Sequence, residues 1–416
     1  MGTNTVSPEE LAALVDRLRW DKRRHPYHGR GEYQATAHRA LETATTLVEA
    51  GRAHTIVRTL RTAVDRVTRT LMYLDDSSGI VGDALQGLVD LYARALEQAP
   101  PANPKTLASW LVSAQFDGPG WPRIHLRAFA PALGERGIAE ITAQVQARAA
   151  DADPDSWSAQ FAVRDFREQL AELTGDTDHY IAVLAEDLKN PEQYCRIARA
   201  LTDADRPAEA VNWARRGLAH HPGNPYSDRL RALLVNLLLD DGQPDAALDI
   251  RITEFHRHPI AATFRALAAT CDRTGDTTPL VPALDELRAR AATDPYRLSE
   301  LIQALTIAGL AEEAWSTAAT HPHETGPHLL SSLIEHRETV HPADVLAPYR
   351  YLIQAQLADT GKYRYEHAIK LLRRLRAAHT AAGDPGGFSR YLAELRAEHK
   401  RKTSFIAKLD NAGLTP

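Results

Sequence analysis

A short phrase returns at near-constant spacing through the C-terminal half of this chain. It reads Asp205-Arg206-Pro207-Ala208-Glu209-Ala210, then Gly242-Gln243-Pro244-Asp245-Ala246-Ala247, then Gly275-Asp276, then Gly309-Leu310-Ala311-Glu312-Glu313-Ala314. First positions lie 37, 33 and 34 residues apart, the length of one helix-turn-helix unit, and a fixed period of about 34 residues is the signature of a stacked α-solenoid. Within each phrase the Gly or Asp permits a tight turn between two helices, which are called A and B here. The Pro or acidic residues start helix B, and Ala210, Ala247 and Ala314 let the paired helices approach closely. Pro222, Pro259 and Pro295 punctuate the ends of the pairs.

The expected architecture is all-α, an α-solenoid of antiparallel helix pairs that is tetratricopeptide-like in the C-terminal half. At 416 residues the chain exceeds one ordinary core but suits a one-dimensional array. Aromatics make up 6% and charged residues 25% of it. Ala, Leu and Arg are heavily used, and no alternating apolar stretch reads as a strand. An N-terminal helical domain over 1–155 and a repeat domain over 156–416 with basic C-terminal helices are expected.

The N-terminal half has its own punctuation. Ser7, Pro8 and Glu10 form a capping signature ahead of Leu11, Leu14, Val15 and Leu18. A long helix is predicted over 32–50, ending at Gly51, and another over 53–74. The cluster Asp75-Asp76-Ser77-Ser78-Gly79 reads as a turn whose side chains cap the next helix, 81–98. Breaks follow at 100–104, 118–122 and 151–155. A fifth copy of the repeat phrase begins at Gly361, and an extra or irregular helix is expected in the gap over 335–348.

These phrases together carry a family resemblance. Gly51-Arg52-Ala53, the Asp75–Gly79 turn, Pro104-Lys105-Thr106-Leu107-Ala108-Ser109-Trp110-Leu111 and Leu133-Gly134-Glu135-Arg136-Gly137 come first. The run Ala208 to Leu218, the basic Leu395 to Lys402 and Leu409 to Leu414 follow. The chain resembles the helical C-terminal region of bacterial SWIM zinc-finger family proteins over about residues 20–414. The resemblance implies an all-helical, repeat-like module that accompanies a suspected nucleic-acid- or protein-binding finger. The finger itself needs three cysteines and a histidine in close pairs, whereas Cys195 and Cys271 are the chain's two cysteines and lie 76 residues apart.

Both cysteines fall in helical apolar patterns and read as small buried hydrophobes, which excludes a disulfide scaffold. The first ten residues contain no apolar signal core. The longest apolar runs, such as 232–239, are far short of the ~20 residues a membrane helix needs. A cytoplasmic protein, monomeric or a weak homodimer, is expected.

No phosphate loop, nucleophile elbow or metalloprotease motif occurs, so the chain is expected to be non-enzymatic, without cofactor or metal. His321, His323 and His328, and the pair His256 and His258, lack the cysteine or paired Glu of a zinc site and read as surface or turn residues. The acidic pair Glu312-Glu313 answers a helix dipole.

Two binding surfaces remain. A groove lined by helix A residues suits a protein or peptide partner. Its candidates are Tyr194, Arg196 and Arg199 in one repeat and Arg231 and Asn236 in the next, with an inter-helix hydrogen bond as the competing role for Asn236. The second is electrostatic. The net charge of -5 is unevenly spread. Residues 17–39 hold seven Lys/Arg against two Asp/Glu and residues 361–402 eleven against four, which leaves the rest at -17. Lys370, Arg373, Arg374, Arg396, Lys400, Arg401 and Lys402, extended by Arg23 and Arg24, form a candidate nucleic-acid surface beside Tyr363, Tyr365 and Tyr391. The competing reading is that these cations complement helix dipoles and pair with the acidic middle.

Overall fold

A computed structural model describes residues 6–19, 29–153 and 155–415. Among the described residues there are twenty-two α-helices and no strand. The chain divides into two compact units, Met1–Ser227 and Asp228–Pro416. The boundary expected near residue 155 falls inside the first of them.

The first unit opens with α1 (Pro8–Arg17), α2 (Arg30–Glu49), α3 (Ala53–Leu71) and α4 (Ile80–Gln98). It continues with α5 (Pro104–Phe116), α6 (Leu126–Asp151), α7 (Trp157–Leu173), α8 (Thr177–Ala185), α9 (Pro191–Asp203) and α10 (Pro207–His220). The second unit begins with α11 (Asp228–Asp240), α12 (Pro244–Arg257), α13 (Ala261–Thr274), α14 (Leu280–Thr293), α15 (Leu298–Ile307) and α16 (Ala311–Thr320). The short α17 (Pro322–Thr325) leads to α18 (Pro327–Arg337), α19 (Leu346–Leu357), α20 (Lys362–Ala381), α21 (Pro385–Glu398) and α22 (Thr403–Asn411). Helices α9, α11, α13 and α15 are the expected A helices, and α10, α12, α14 and α16 their B partners, each packed on its own A helix.

The repeat phrase is a helix C-cap. Asp205, Gly242, Gly275 and Gly309 all sit in the left-handed region, at φ 58°, 69°, 76° and 75°. Three of them close a double reversal. The Gly242 N–H donates to Leu239 and the Gln243 N–H to Leu238, at 3.2 and 2.8 Å. Asp205-Arg206 repeats this pattern on Thr202 and Leu201, and Gly309-Leu310 repeats it on Thr306 and Leu305. These bonds satisfy carbonyls that the end of a helix otherwise orphans. Gly275 uses the simpler form, a single bond to Cys271 at 2.8 Å. After Asp205, Gly242 and Gly309 the chain enters helix B within two residues, and after Gly275 it does so at Leu280. Ala210, Ala247 and Ala314 are fully buried where the paired helices meet.

The fifth hairpin departs from this scheme. Gly361 is extended, at φ 161°, so α19 and α20 are joined without the left-handed cap. The gap before it holds the short α17 and α18, but the helix expected over 335–348 is not there: α18 ends at Arg337 and turns run to the start of α19 at Leu346.

Side chains from neighbouring helices also cap ends. Gln169 of α7 accepts the Leu126 N–H at the start of α6 at 2.7 Å, and Glu300 of α15 accepts the Ala261 N–H at the start of α13 at 2.6 Å. The capping signals of the N-terminal half behave as their sequence suggests. Ser7 Oγ accepts the Glu10 N–H at 3.2 Å, and Asp76 accepts the Val81 and Gly82 N–H groups at 3.1 and 2.8 Å. One apolar core runs from Leu11 to Phe166 and another from Leu248 to Leu414. Cys195 and Cys271 are buried and unbridged.

A residue with a Cβ is strained at the left-handed position, and Asn tolerates it better than Ala. Gly242→Ala is therefore expected to lower unfolding free energy by about 1 kcal/mol, and Gly242→Asn by less. Urea unfolding of both variants checks the order, and equal losses would contradict the conformational account.

Candidate partner-binding grooves

Three helices of the first unit enclose a groove of about 400 Å³. Each is fixed at its N-terminus by a side chain that accepts backbone N–H groups. Ser156 caps α7, Asp176 caps α8 through the His179 N–H at 3.0 Å, and Asn190 caps α9 in a reciprocal box with Gln193. The groove is lined by the end of α7, the start of α8 and one face of α9, with Arg127 of α6 at its edge.

Tyr180 and Arg196 line the groove, and Arg196 is held from beneath by Glu168. Glu168 is buried and accepts a hydrogen bond from Arg196 Nη1. Arg196 also donates from Nε and Nη2 to the Tyr180 hydroxyl at 3.2 and 2.9 Å. Burial pushes the Tyr180 phenol above its ordinary value, against the opposing pull of Arg196. At the rim Arg199 is 54% exposed with Glu192 3.9 Å away, and Arg127 lies 3.4 Å from Glu172. Arg127, Arg196 and Arg199 face Glu172, Asp176 and Asp203, so the lining carries three charges of each sign.

Arg196 and Arg199 line the same groove, and the other predicted groove residues are engaged elsewhere. Tyr194 has no exposed surface. Its hydroxyl meets His220 Nδ1 at 2.6 Å and its ring lies 6.1 Å from Trp213, so it locks α9 to α10 and is out of a partner's reach. Arg231 keeps 11% exposure and bridges Asp228 and the nearly buried Glu254 at 2.7 and 2.8 Å. Asn236 accepts from Arg273 Nη1 at 2.6 Å, which joins α11 to α13. The inter-helix role is the one the structure supports for it.

The basic C-terminal region separates into used and unused cations. Arg374 binds Glu335 and Glu338 at 2.8 and 2.6 Å with its Cζ 5.9 Å from the Tyr349 ring. Arg396 binds Asp410 at 2.6 Å and the Leu414 carbonyl at 3.2 Å. Lys402 donates to the Leu357 carbonyl. These three hold the last helices together. Lys370, Arg373, Lys400 and Arg401 are exposed and make no ion pair among the described residues. Arg23 and Arg24 lie outside the described residues. Tyr365 and Tyr391 are buried, which leaves Tyr363, 83% exposed, as the one predicted aromatic available at that surface.

Among the described residues no group of three or more His, Cys, Asp or Glu side chains is placed to hold a metal ion. His323 instead meets the Tyr351 hydroxyl at 3.2 Å, and His256 meets Glu286 at 2.8 Å. No described helix is long and apolar enough to cross a membrane. A second groove, beside the exposed Trp157 and Phe161 of α7, had no counterpart in the sequence reading. The only available signal was an aromatic pair at i and i+4, a spacing that core helices share.

Paired antiparallel helices, reversed at left-handed caps and repeating at the tetratricopeptide interval, define a helical-repeat protein. The chain belongs to the family described as "Family of unknown function (DUF6880)", matched over residues 34–408. No curated protein matches it. Among solved structures, the crystal structure of yeast Tom70 has a TM-score of 0.28 and 11% identity, covering 99% of this chain and 90% of that one. A monomeric mutant of IFIT1 with Gppp-AAAA has a TM-score of 0.24 and 10% identity, covering 95% and 96%. A circular tandem repeat protein with novel repeat topology has a TM-score of 0.19 and 15% identity, covering 98% and 92%. Likenesses this distant add nothing about function.

Removing one partner of a buried ion pair leaves the other charge unpaired in low dielectric. Arg196→Ala is expected to cost about 3 kcal/mol, near the lower end for such pairs, because Arg196 keeps some exposure and Arg164 Nε remains 4.0 Å from Glu168. The double variant Glu168→Leu with Arg196→Met should recover most of that loss. Thermal unfolding of the set checks this, and a double variant as unstable as Arg196→Ala would refute the pairing.

Proposed function

We propose that this protein is a non-enzymatic helical-repeat scaffold that binds another protein or peptide. The observation that carries the reading is the groove over Tyr180, Arg196 and Arg199. Its floor is held by part-buried hydrogen bonds of Arg196 to Tyr180 and Glu168, so little ordering entropy is lost when a partner docks. Its lining is charge-balanced, which matches a polypeptide of mixed polarity better than a polyanion.

The second reading is nucleic-acid binding through the C-terminal region. What favours it is the exposure of Lys370, Arg373, Lys400 and Arg401 without ion-pair partners among the described residues. What weighs against it is that Arg374, Arg396 and Lys402 are committed to internal contacts.

Affinity capture by the purified protein and by Arg199→Glu, beside a mobility-shift assay with single-stranded RNA at low salt, separates the two. The scaffold reading expects specific proteins retained by the parent and lost from Arg199→Glu, with no RNA shift. An RNA shift that weakens steeply with salt and vanishes in Lys400→Glu with Arg401→Glu, without Arg199-dependent capture, would replace it.

A further inference from the structure

Trp157 and Phe161 stand out among the exposed hydrophobic side chains. They occupy successive turns on the outer side of α7, 75% and 41% exposed, with their rings stacked at 5.3 Å and 17°. Arg164, one turn further along, places its guanidinium 5.8 Å from the Phe161 ring. Trp, Phe and Arg thus form a short ladder on one helix face. The Trp157 indole N–H has no hydrogen-bond partner among the described residues. An aromatic pair left this open forgoes burial that is ordinarily favourable.

The ladder forms one wall of a groove of about 1030 Å³, whose other wall is the segment 186–190 after α8. The charges in this groove are already matched. Arg164 binds Asp187 at 2.7 Å, Lys189 binds the same carboxylate group at 3.1 Å, and Arg167 binds Glu186 at 2.8 Å. With Asp155, three anionic and three cationic side chains line the space, leaving no net field to attract a phosphate backbone. Beyond the two rings the walls are mostly polar, including Gln160 and Asn190. A partner helix docking by an apolar stripe needs a longer apolar counterpart than this.

This lining fits an occupant without net charge, and the exposed rings and free indole N–H favour one with CH-rich faces and bare backbone carbonyls. A polyproline II segment has both properties. Its pyrrolidine rings pack on aromatic faces, its backbone has no internal hydrogen bonds, and it is already extended before it binds. We infer that the Trp157–Phe161 groove is a docking site for a proline-rich peptide segment. The inference specifies one partner class for the scaffold proposed above and rests on that reading, although it concerns a different groove.

The test is fluorescence anisotropy of a labelled synthetic polyproline peptide titrated with the full chain, with a labelled oligouridylate as the competing probe. Saturable binding of the polyproline peptide with a Kd of about 100 μM is expected. Trp157→Ala and Phe161→Ala should each weaken it about tenfold or more, and because Trp157 is 75% exposed its variant should leave the melting temperature unchanged. Arg199→Glu should leave it intact, so failure here and failure of the Arg199 groove can be told apart. No binding up to about 1 mM, binding indifferent to Trp157→Ala, or Trp157-dependent binding of oligouridylate in place of polyproline would each overturn the proposal.

Discussion

A helix that reverses direction leaves its last carbonyls without partners, and the left-handed residue after the helix resolves this within two positions. At Asp205, Gly242 and Gly309 the double reversal both satisfies those carbonyls and aims the chain back along the helix it has left. The position of helix B against helix A follows from this turn. The buried alanines then have to be small, since the two backbones meet there. Neither helix of a pair could bury its apolar side alone, so stacking within each unit follows from the same constraint.

That is why so much of the architecture is legible in the sequence. The left-handed conformation is nearly exclusive to Gly, Asn and Asp, so a turn of this kind marks the sequence at one defined position. Capping side chains leave similar marks, as at Ser7 and Asp76. The fifth hairpin is the instructive exception. Gly361 occupies the expected place in the phrase, yet its backbone is extended. A glycine permits the left-handed turn without requiring it.

The grooves were less legible because helical periodicity shows which positions share a face and not what that face meets. Tyr194 and Arg196 are two residues apart on α9, and both suit a concave surface by residue type. The first is swallowed by the hairpin with α10, while the second reaches across to Glu168. The choice depends on His220, Trp213 and Tyr180, whose proximity arises only when three helices pack. Trp157 shows the converse: an aromatic pair spaced for a core is left facing solvent.

Charge presents the same difficulty in a stronger form. A count over 361–402 suggests a single basic surface, but a guanidinium within 3 Å of a carboxylate no longer projects a net positive field. Arg374 and Arg396 each hold such a partner, contributed by segments as distant in sequence as Glu335 or as close as Asp410. What a passing polyanion would meet over that span is Lys362, Lys370, Arg373, Arg376, Lys400 and Arg401, fewer cations than the composition implies. The charge-matched groove around Arg196 and Arg199 is neutral overall, and Arg196 at its floor is held in place by Glu168 and Tyr180. A fixed pattern of alternating sign selects one polypeptide over another, whereas an excess of one sign mainly raises attraction to any opposite charge.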